Sequence, residues 1–271
     1  SDLGDFLIMP TTGDLKLNPG TEQNPDSGYR SRFSHKNEQA SPGYYSVLLE
    51  DYNIQAEMTA TTRVGMHQYT FNKDEKAHII LDLTSGIYNY DDKNVWTVVR
   101  VENDTLVTGY RQTNGWARTR RVYFAMSFSK PISSYGRARY DKQPYNGFWR
   151  RFNESENFPE IAGEKIKMYF DFEVKNNEKI QLKFALSPVS MAGAVANMKE
   201  EVPNWDFEKV KADAKHAWNK ELNKIQITSD DTNEKTNFYT AMYHAFLGPT
   251  VYMDTDKNYT GIDFNTHNAE N

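Results

Sequence analysis

Residue types that can do chemistry are thinly spread along this chain. Six histidines occur, at His35, His67, His78, His216, His244 and His267, and none stands at zinc-ligand spacing from another histidine or a carboxylate. His67 and His78 fall in strand-like runs and His244 follows Tyr243 in a helical one, where a packed imidazole is the ordinary reading. His35 differs, because it lies in the polar run Ser34–Gly43 close to Glu38 and Arg32. Charged residues on a loop at the lip of a sheet are a common way to present a binding site, so His35 and Glu38 are candidate substrate-binding residues. Two carboxylates can flank a glycosidic bond as acid and base. Here Glu50-Asp51, Asp91-Asp92 and Glu200-Glu201 are adjacent pairs at turns or helix ends, the setting of solvated charge. Asp230-Asp231 and Asp254-Thr255-Asp256 lack the glycine and terminal glutamate of an EF-hand loop. Nucleophile-elbow, P-loop and dinucleotide signatures are absent as well. No residue qualifies as catalytic or metal-ligating on local spacing.

Asn114-Gly115-Trp116-Ala117 falls between two strand-like runs. Trp116 could offer a flat ring face to the C–H face of a pyranose, or plug the edge of a sandwich. Both readings stay open. Sequons at Asn103, Asn153 and Asn258 are frequent by chance and carry no argument.

These residues must be held by a β-rich scaffold. The chain has 271 residues, room for one large or two ordinary domains. Hydrophobic content is only 38%, but 17 Tyr and 15 Phe can build a core and also suit stacking on sugars. A net charge of −5 and a short basic cluster, Arg118–Arg121, argue against nucleic acid as partner. Cysteine is absent, which excludes disulfides and thiol catalysis. No apolar run approaches the ~20 residues of a membrane span. The chain opens on Ser1-Asp2-Leu3-Gly4 without Met, as a processed or excised piece would.

Asp5–Pro10 reads as a short strand stopped by its proline, and residues 11–28 as loop. Strands are expected over 44–50, 54–62, 66–71, 77–83, 94–101, 105–110, 121–128, 166–174 and 180–186, most with period-two apolar spacing. Tight polar turns between them point to an antiparallel sandwich. The stretch 133–163 lacks periodicity and reads as a long loop. After Pro188 the pattern turns helical: Met191–Glu201, then a helix capped by Asp206 with Phe207, Val210, Ala214, Ala217 and Trp218 on one face. A short strand Ile225–Ile227 and an amphipathic helix Thr232–Leu247 follow. The expected division is a sandwich over 1–188, linker helices over 189–231, and the start of a second, helical domain over 232–271.

Several runs resemble glycoside hydrolase family 92. They are Ser34–Glu38, Pro42-Gly43-Tyr44-Tyr45, Thr61–Phe71, Gly115-Trp116-Ala117, Val122-Tyr123-Phe124 and Phe128-Ser129-Lys130-Pro131, then Trp205-Asp206-Phe207, Trp218-Asn219 and Phe238–His244, all in family order. The resemblance implies a galactose-mutarotase-like β-sandwich lacking its first strands, followed by the start of an (α/α)6 catalytic barrel. It implies a bacterial, exported (periplasmic or cell-surface), inverting, calcium-dependent exo-α-mannosidase acting on mannose-containing glycans or mannan, with α-1,2-linked mannose the expected substrate. The catalytic acid, base and Ca2+ ligands would lie in barrel segments beyond this chain, leaving the piece itself inactive. The 34–45 loop and Trp116 would wall an interdomain sugar pocket. The competing expectation is a stand-alone carbohydrate-binding sandwich, against which the apolar face of helix 232–247 speaks.

Overall fold

The computed structural model describes residues 6–86, 90, 92–115, 119–139 and 159–270. Strands in chain order are β1 (Leu7–Thr12), β2 (Glu38–Ser41), β3 (Tyr44–Leu49), β4 (Ile54–Ala60), β5 (Val64–Phe71), β6 (Glu75–Asp82), β7 (Asn94–Val101), β8 (Leu106–Thr113) and β9 (Arg120–Phe128). There follow β10 (Ser134–Arg139), β11 (Glu160–Gly163), β12 (Ile166–Val174) and β13 (Glu178–Ser187). Three helices, α1 (Met191–Glu201), α2 (Phe207–Leu222) and α3 (Thr232–Phe246), precede a hairpin of β14 (Asn258–Thr260) and β15 (Thr266–Asn268). The expected mainly antiparallel β-sandwich followed by helices is what forms.

Four strands make one sheet, in the order β1-β6-β12-β10, and nine make the other, β11-β7-β8-β9-β13-β5-β4-β3-β2. Alternation aims Ile79, Leu81, Phe170 and Phe172 from the small sheet at Tyr69, Phe71, Phe124, Phe128 and Leu182 from the large one. The outer face of the large sheet is covered in part by α1 and α2. Met198, Val202, Phe207 and Val210 close over Val64, Met66, Ala125 and Ala185 in a second core. Both helices start on side-chain caps, Ser190 accepting from Gly193 N and Asp206 from Lys209 N.

Residues 13–29 lie over the outer face of the small sheet. Lys167 Nζ donates to Leu17 O at 2.8 Å, the Tyr29 hydroxyl to Asp82 at 2.8 Å, and His78 Nε2 lies 2.9 Å from Gly13 O. His78 Nδ1 is 2.6 Å from Asp171. His78 is therefore a satisfied structural residue.

Four local expectations are corrected. The run Ser34–Gly43 is not a loop but one 3-10 turn, His35–Asn37, and the edge strand β2, paired Ser41↔Tyr44 to Glu38↔Val47. Pro42-Gly43 joins β2 to β3, with Gly43 at φ +83°, a conformation that suits glycine. Pro10 does not stop β1, since it pairs opposite Ile79 on an edge strand, where a missing N–H is tolerated. Ile225–Ile227 forms no strand, and Ile225 is exposed with no ladder to join. The ends of 133–163 are β10 and β11; residues 140–158 lie outside the described residues.

Candidate functional site

His35 and Glu38 are together, but at the far edge of the large sheet. His35 Nδ1 lies 2.5 Å from Glu38 Oε2, while the Tyr45 hydroxyl donates to Glu38 Oε1 at 2.6 Å. Those bonds, the one from Tyr45 first, hold the Glu38 carboxyl below its ordinary range. Burial and the facing carboxylate push the Tyr45 hydroxyl up to about 12. With both oxygens engaged, Glu38 is a fixed acceptor and a poor proton donor.

Trp116 lies outside the described residues; its neighbours Gly115 and Thr119 leave the sheet just past the Thr113↔Arg120 pair. That end of the sheet also holds Ser187, opposite Tyr123, and Val64, opposite Ala185. Glu38 stands opposite Val47, in a row continuing through Ala56 and Tyr69 to Ile180, toward the other end of β13. β2 is also six strands from β8 in the sheet order, about 29 Å along the sheet at ~4.8 Å per strand. The fold does not bring His35 and Glu38 to the Thr113↔Arg120 end of the sheet.

What gathers at the loop end is a pair of adjoining clefts, about 530 and 820 Å³, that share Arg120, Pro188 and Tyr252. The smaller is walled by Phe6, Val64, His67, Phe184 and Tyr252. The larger lies between Gln112, Arg121 and Tyr123 on the sheet and Thr260, Phe264 and Thr266 on the hairpin. His67 carries the stronger perturbation: burial holds its imidazole down at about 4, although its ring still borders the cleft. Its Nδ1 lies 2.7 Å from the Tyr69 hydroxyl. Reading His67 as structural overlooked that cleft, because no local pattern reports what covers a strand end.

The second wall is anchored by buried polar groups. Asp254 accepts from Ser187 Oγ at 2.7 Å and Asn197 Nδ2 at 2.8 Å, and burial pushes its carboxyl upward. Arg63 pairs with Glu201 at 2.6 Å and donates through Nε to Met253 O at 2.6 Å. Asp256 is spent on Asn258, through its backbone N and its side chain. Among the described residues, no group of three His, Asp or Glu side chains could hold a metal ion. The described side chains do not make a calcium site.

The sandwich thus carries α1 and α2 on its large sheet and leads on to α3 and the β14–β15 hairpin. The glycosyl hydrolase family 92 N-terminal domain matches residues 1–187 and the family's catalytic domain matches residues 193–271. The chain belongs to glycosyl hydrolase family 92. It is 40% identical to the α-mannosidase BT3965 of Bacteroides thetaiotaomicron, superposing with a TM-score of 0.88 over 99% of this chain and 35% of that one. The inverting mannosidase BT2199 of B. thetaiotaomicron is 26% identical, with a TM-score of 0.79 over 97% of this chain and 33% of that one. A protein of Arthroderma benhamiae described as an uncharacterized secreted glycosidase is 26% identical over 90% of this chain and 34% of its own length. The chain thus spans about a third of the length of these relatives.

Proposed function

We propose that this chain forms the sandwich, and the first part of the catalytic domain, of an exported exo-α-mannosidase that inverts configuration and acts on α-1,2-linked mannose of glycans or mannan. The observation that carries this reading is the 40% identity to an α-mannosidase over 99% of the chain. The α-mannosidase class follows from that relative, inversion from the described activity of a second, and export from a secreted one. Linkage and calcium dependence follow from the family resemblance alone.

An inverting hydrolysis needs two carboxyl groups ~6.5–9.5 Å apart, with a water between one of them and the sugar. The half-buried and buried carboxylates named above are otherwise engaged. Glu38 is held by Tyr45 and His35, Glu201 by Arg63, and Asp254 by Ser187 and Asn197. It is the family resemblance that supports assigning the acid and base, together with any calcium, to further segments of the catalytic domain. This chain contributes walls and support, and does not turn over substrate by itself. A finished carbohydrate-binding module is the weaker reading. Leu247, Val251, Tyr252, Ile262 and Phe264 leave large apolar side chains exposed beyond α3, a surface suited to more helical domain.

The test is to assay this chain, and a version extended through the rest of the catalytic domain, on α-1,2-mannobiose with and without chelator. Turnover by the short chain would show that its own carboxylates suffice. Failure of the extended protein on every α-mannoside would remove the mannosidase reading.

A further inference from the structure

The turn between β4 and β5, Thr61 to Arg63, grips two other parts of the chain at once. Glu201, the last residue of α1, lays its carboxylate on this turn. Its Oε2 accepts from the Thr61 hydroxyl and, at 2.9 Å, from the Arg63 backbone N, while Oε1 accepts from Arg63 Nη1 at 2.6 Å. A cation beside a helix C-terminus also meets the negative end of the helix dipole. Leu186 N donates to the Arg63 carbonyl at 3.0 Å, so the backbone of the turn is tied to β13 as well.

With Nη1 held by Glu201, the other two guanidinium nitrogens reach the segment beyond α3. Nε donates to Met253 O at 2.6 Å and Nη2 to Asp254 O at 3.3 Å. Three nitrogens thus engage three residues, which the fork of a guanidinium allows and the single ammonium of lysine does not. The Arg63 side chain is 16% exposed and that of Glu201 12%, so each charge is largely out of water and relies on the other. Among the described residues, no other side chain donates to the Met253 or Asp254 carbonyl. Arg63 lies within the N-terminal-domain match, and Glu201, Met253 and Asp254 lie within the catalytic-domain match, so every one of these side-chain bonds crosses the domain boundary.

We propose that Arg63 is a positioning residue, whose guanidinium seats the catalytic domain on the sandwich by holding the carbonyls of Met253 and Asp254. It acts through this segment and not on the sugar. The kinetic consequence rests on the proposed function; the hold on the segment rests on the contacts. With the acid and base elsewhere in the catalytic domain, a misplaced sandwich wall removes binding shared by ground and transition states, and the defect falls on KM more than on kcat.

Arg63→Ala should still fold, because Glu201 keeps its bonds from Thr61 and from the backbone N of residue 63, and thermal melting checks this. In this chain the variant should speed hydrogen exchange at Asp254 N and Lys257 N, which donate to Asn258 O and Asp254 O, by roughly tenfold or more. Methylguanidinium can enter through the cleft of about 530 Å³ that Arg63 lines, and should restore protection. Arg63→Lys, which keeps the charge without the fork, should recover little. In the extended enzyme, Arg63→Ala should raise KM for α-1,2-mannobiose by roughly fivefold or more with kcat changed less, and methylguanidinium should lower it again. Wild-type exchange in folded Arg63→Ala, or an extended variant that melts lower yet keeps wild-type KM and kcat, would overturn the proposal. So would a kinetic defect that methylguanidinium leaves unchanged. If the unaltered extended enzyme cleaves no α-mannoside, the mannosidase reading falls, and methylguanidinium-dependent exchange in this chain still decides whether Arg63 holds the segment.

Discussion

Ser187, the last residue of β13, donates its hydroxyl to the carboxylate of Asp254 at 2.7 Å, joining the end of the sandwich to the segment beyond α3. Asn197 of α1 completes the junction, with Nδ2 on Asp254 and Oδ1 accepting from Thr255 N at 2.9 Å. Sandwich, exit helix and catalytic-domain start thus share one buried polar knot. It sets the hairpin that forms the outer wall of the larger cleft.

Asp254→Ala should therefore loosen the 250–268 segment. It leaves the Ser187 hydroxyl and an Asn197 amide hydrogen without their acceptor, at a cost of about 1–3 kcal/mol. Hydrogen exchange should accelerate at Asp254 N, which donates to Asn258 O, and at Thr255 N, while β6 and β12 stay protected. Equal acceleration everywhere would contradict a local anchor.

Gly43 is expected to reject even alanine. Its φ of +83° is costly for any side chain, and an added Cβ would sit 3.0 Å from the Ala214 Cβ and 3.1 Å from Trp218 on α2. Gly43→Ala should lower stability by about 1–3 kcal/mol, read from urea midpoints at unchanged slope. A neutral result would mean that the turn does not bear on α2.

His67 gives stability a dependence on mildly acidic pH. Burial lowers its folded-state value to about 4, so the folded form prefers the neutral ring. The contribution is complete above the unfolded value of ~6.5 and is lost as pH falls toward the folded one. The loss is at most about 3 kcal/mol, less to the extent that water in the cleft reaches the ring. His67→Gln should flatten the stability profile between those limits; an unchanged slope would remove His67 as its source.

Asp171 acts at lower pH. Burial opposes its ionisation, but hydrogen bonds from Lys76, Ser134 and His78 prevail and hold its carboxyl below the ordinary range. A depressed folded value means stability present above the unfolded ~3.9 and lost as pH falls below it. Asp171→Asn should destabilise the protein at neutral pH and blunt acid unfolding below about pH 4, measured by circular dichroism.

Much of the fold was legible from local pattern. Period-two runs such as Val122, Phe124, Met126, Phe128 marked buried strands, because alternation is a property of one strand alone. Asp206 and the spacing of Phe207, Val210 and Ala214 marked α2 for the same reason. Less of the site was legible. Glu38–Ser41 carries no apolar alternation, and becomes a strand only because β3 offers a free edge. His35 and Glu38 shared a segment with Pro42-Gly43, and looked like one lip. Pairing of β2 with β3 turns them along the strand, away from the loop end.

By itself, then, the sequence determined the period of each element, its caps and turns, the aromatic-rich core and the family resemblance, all carried by neighbours within a few residues. Tertiary structure alone decided the strand order and register. β13 enters between β9 and β5, which arrive some 50 and over 100 residues earlier. From that order come the burial of His67 at a cleft edge and the Ser187–Asp254 bond. Each depends on contacts between distant segments, whose free energy is gained only when the whole sheet closes on its core.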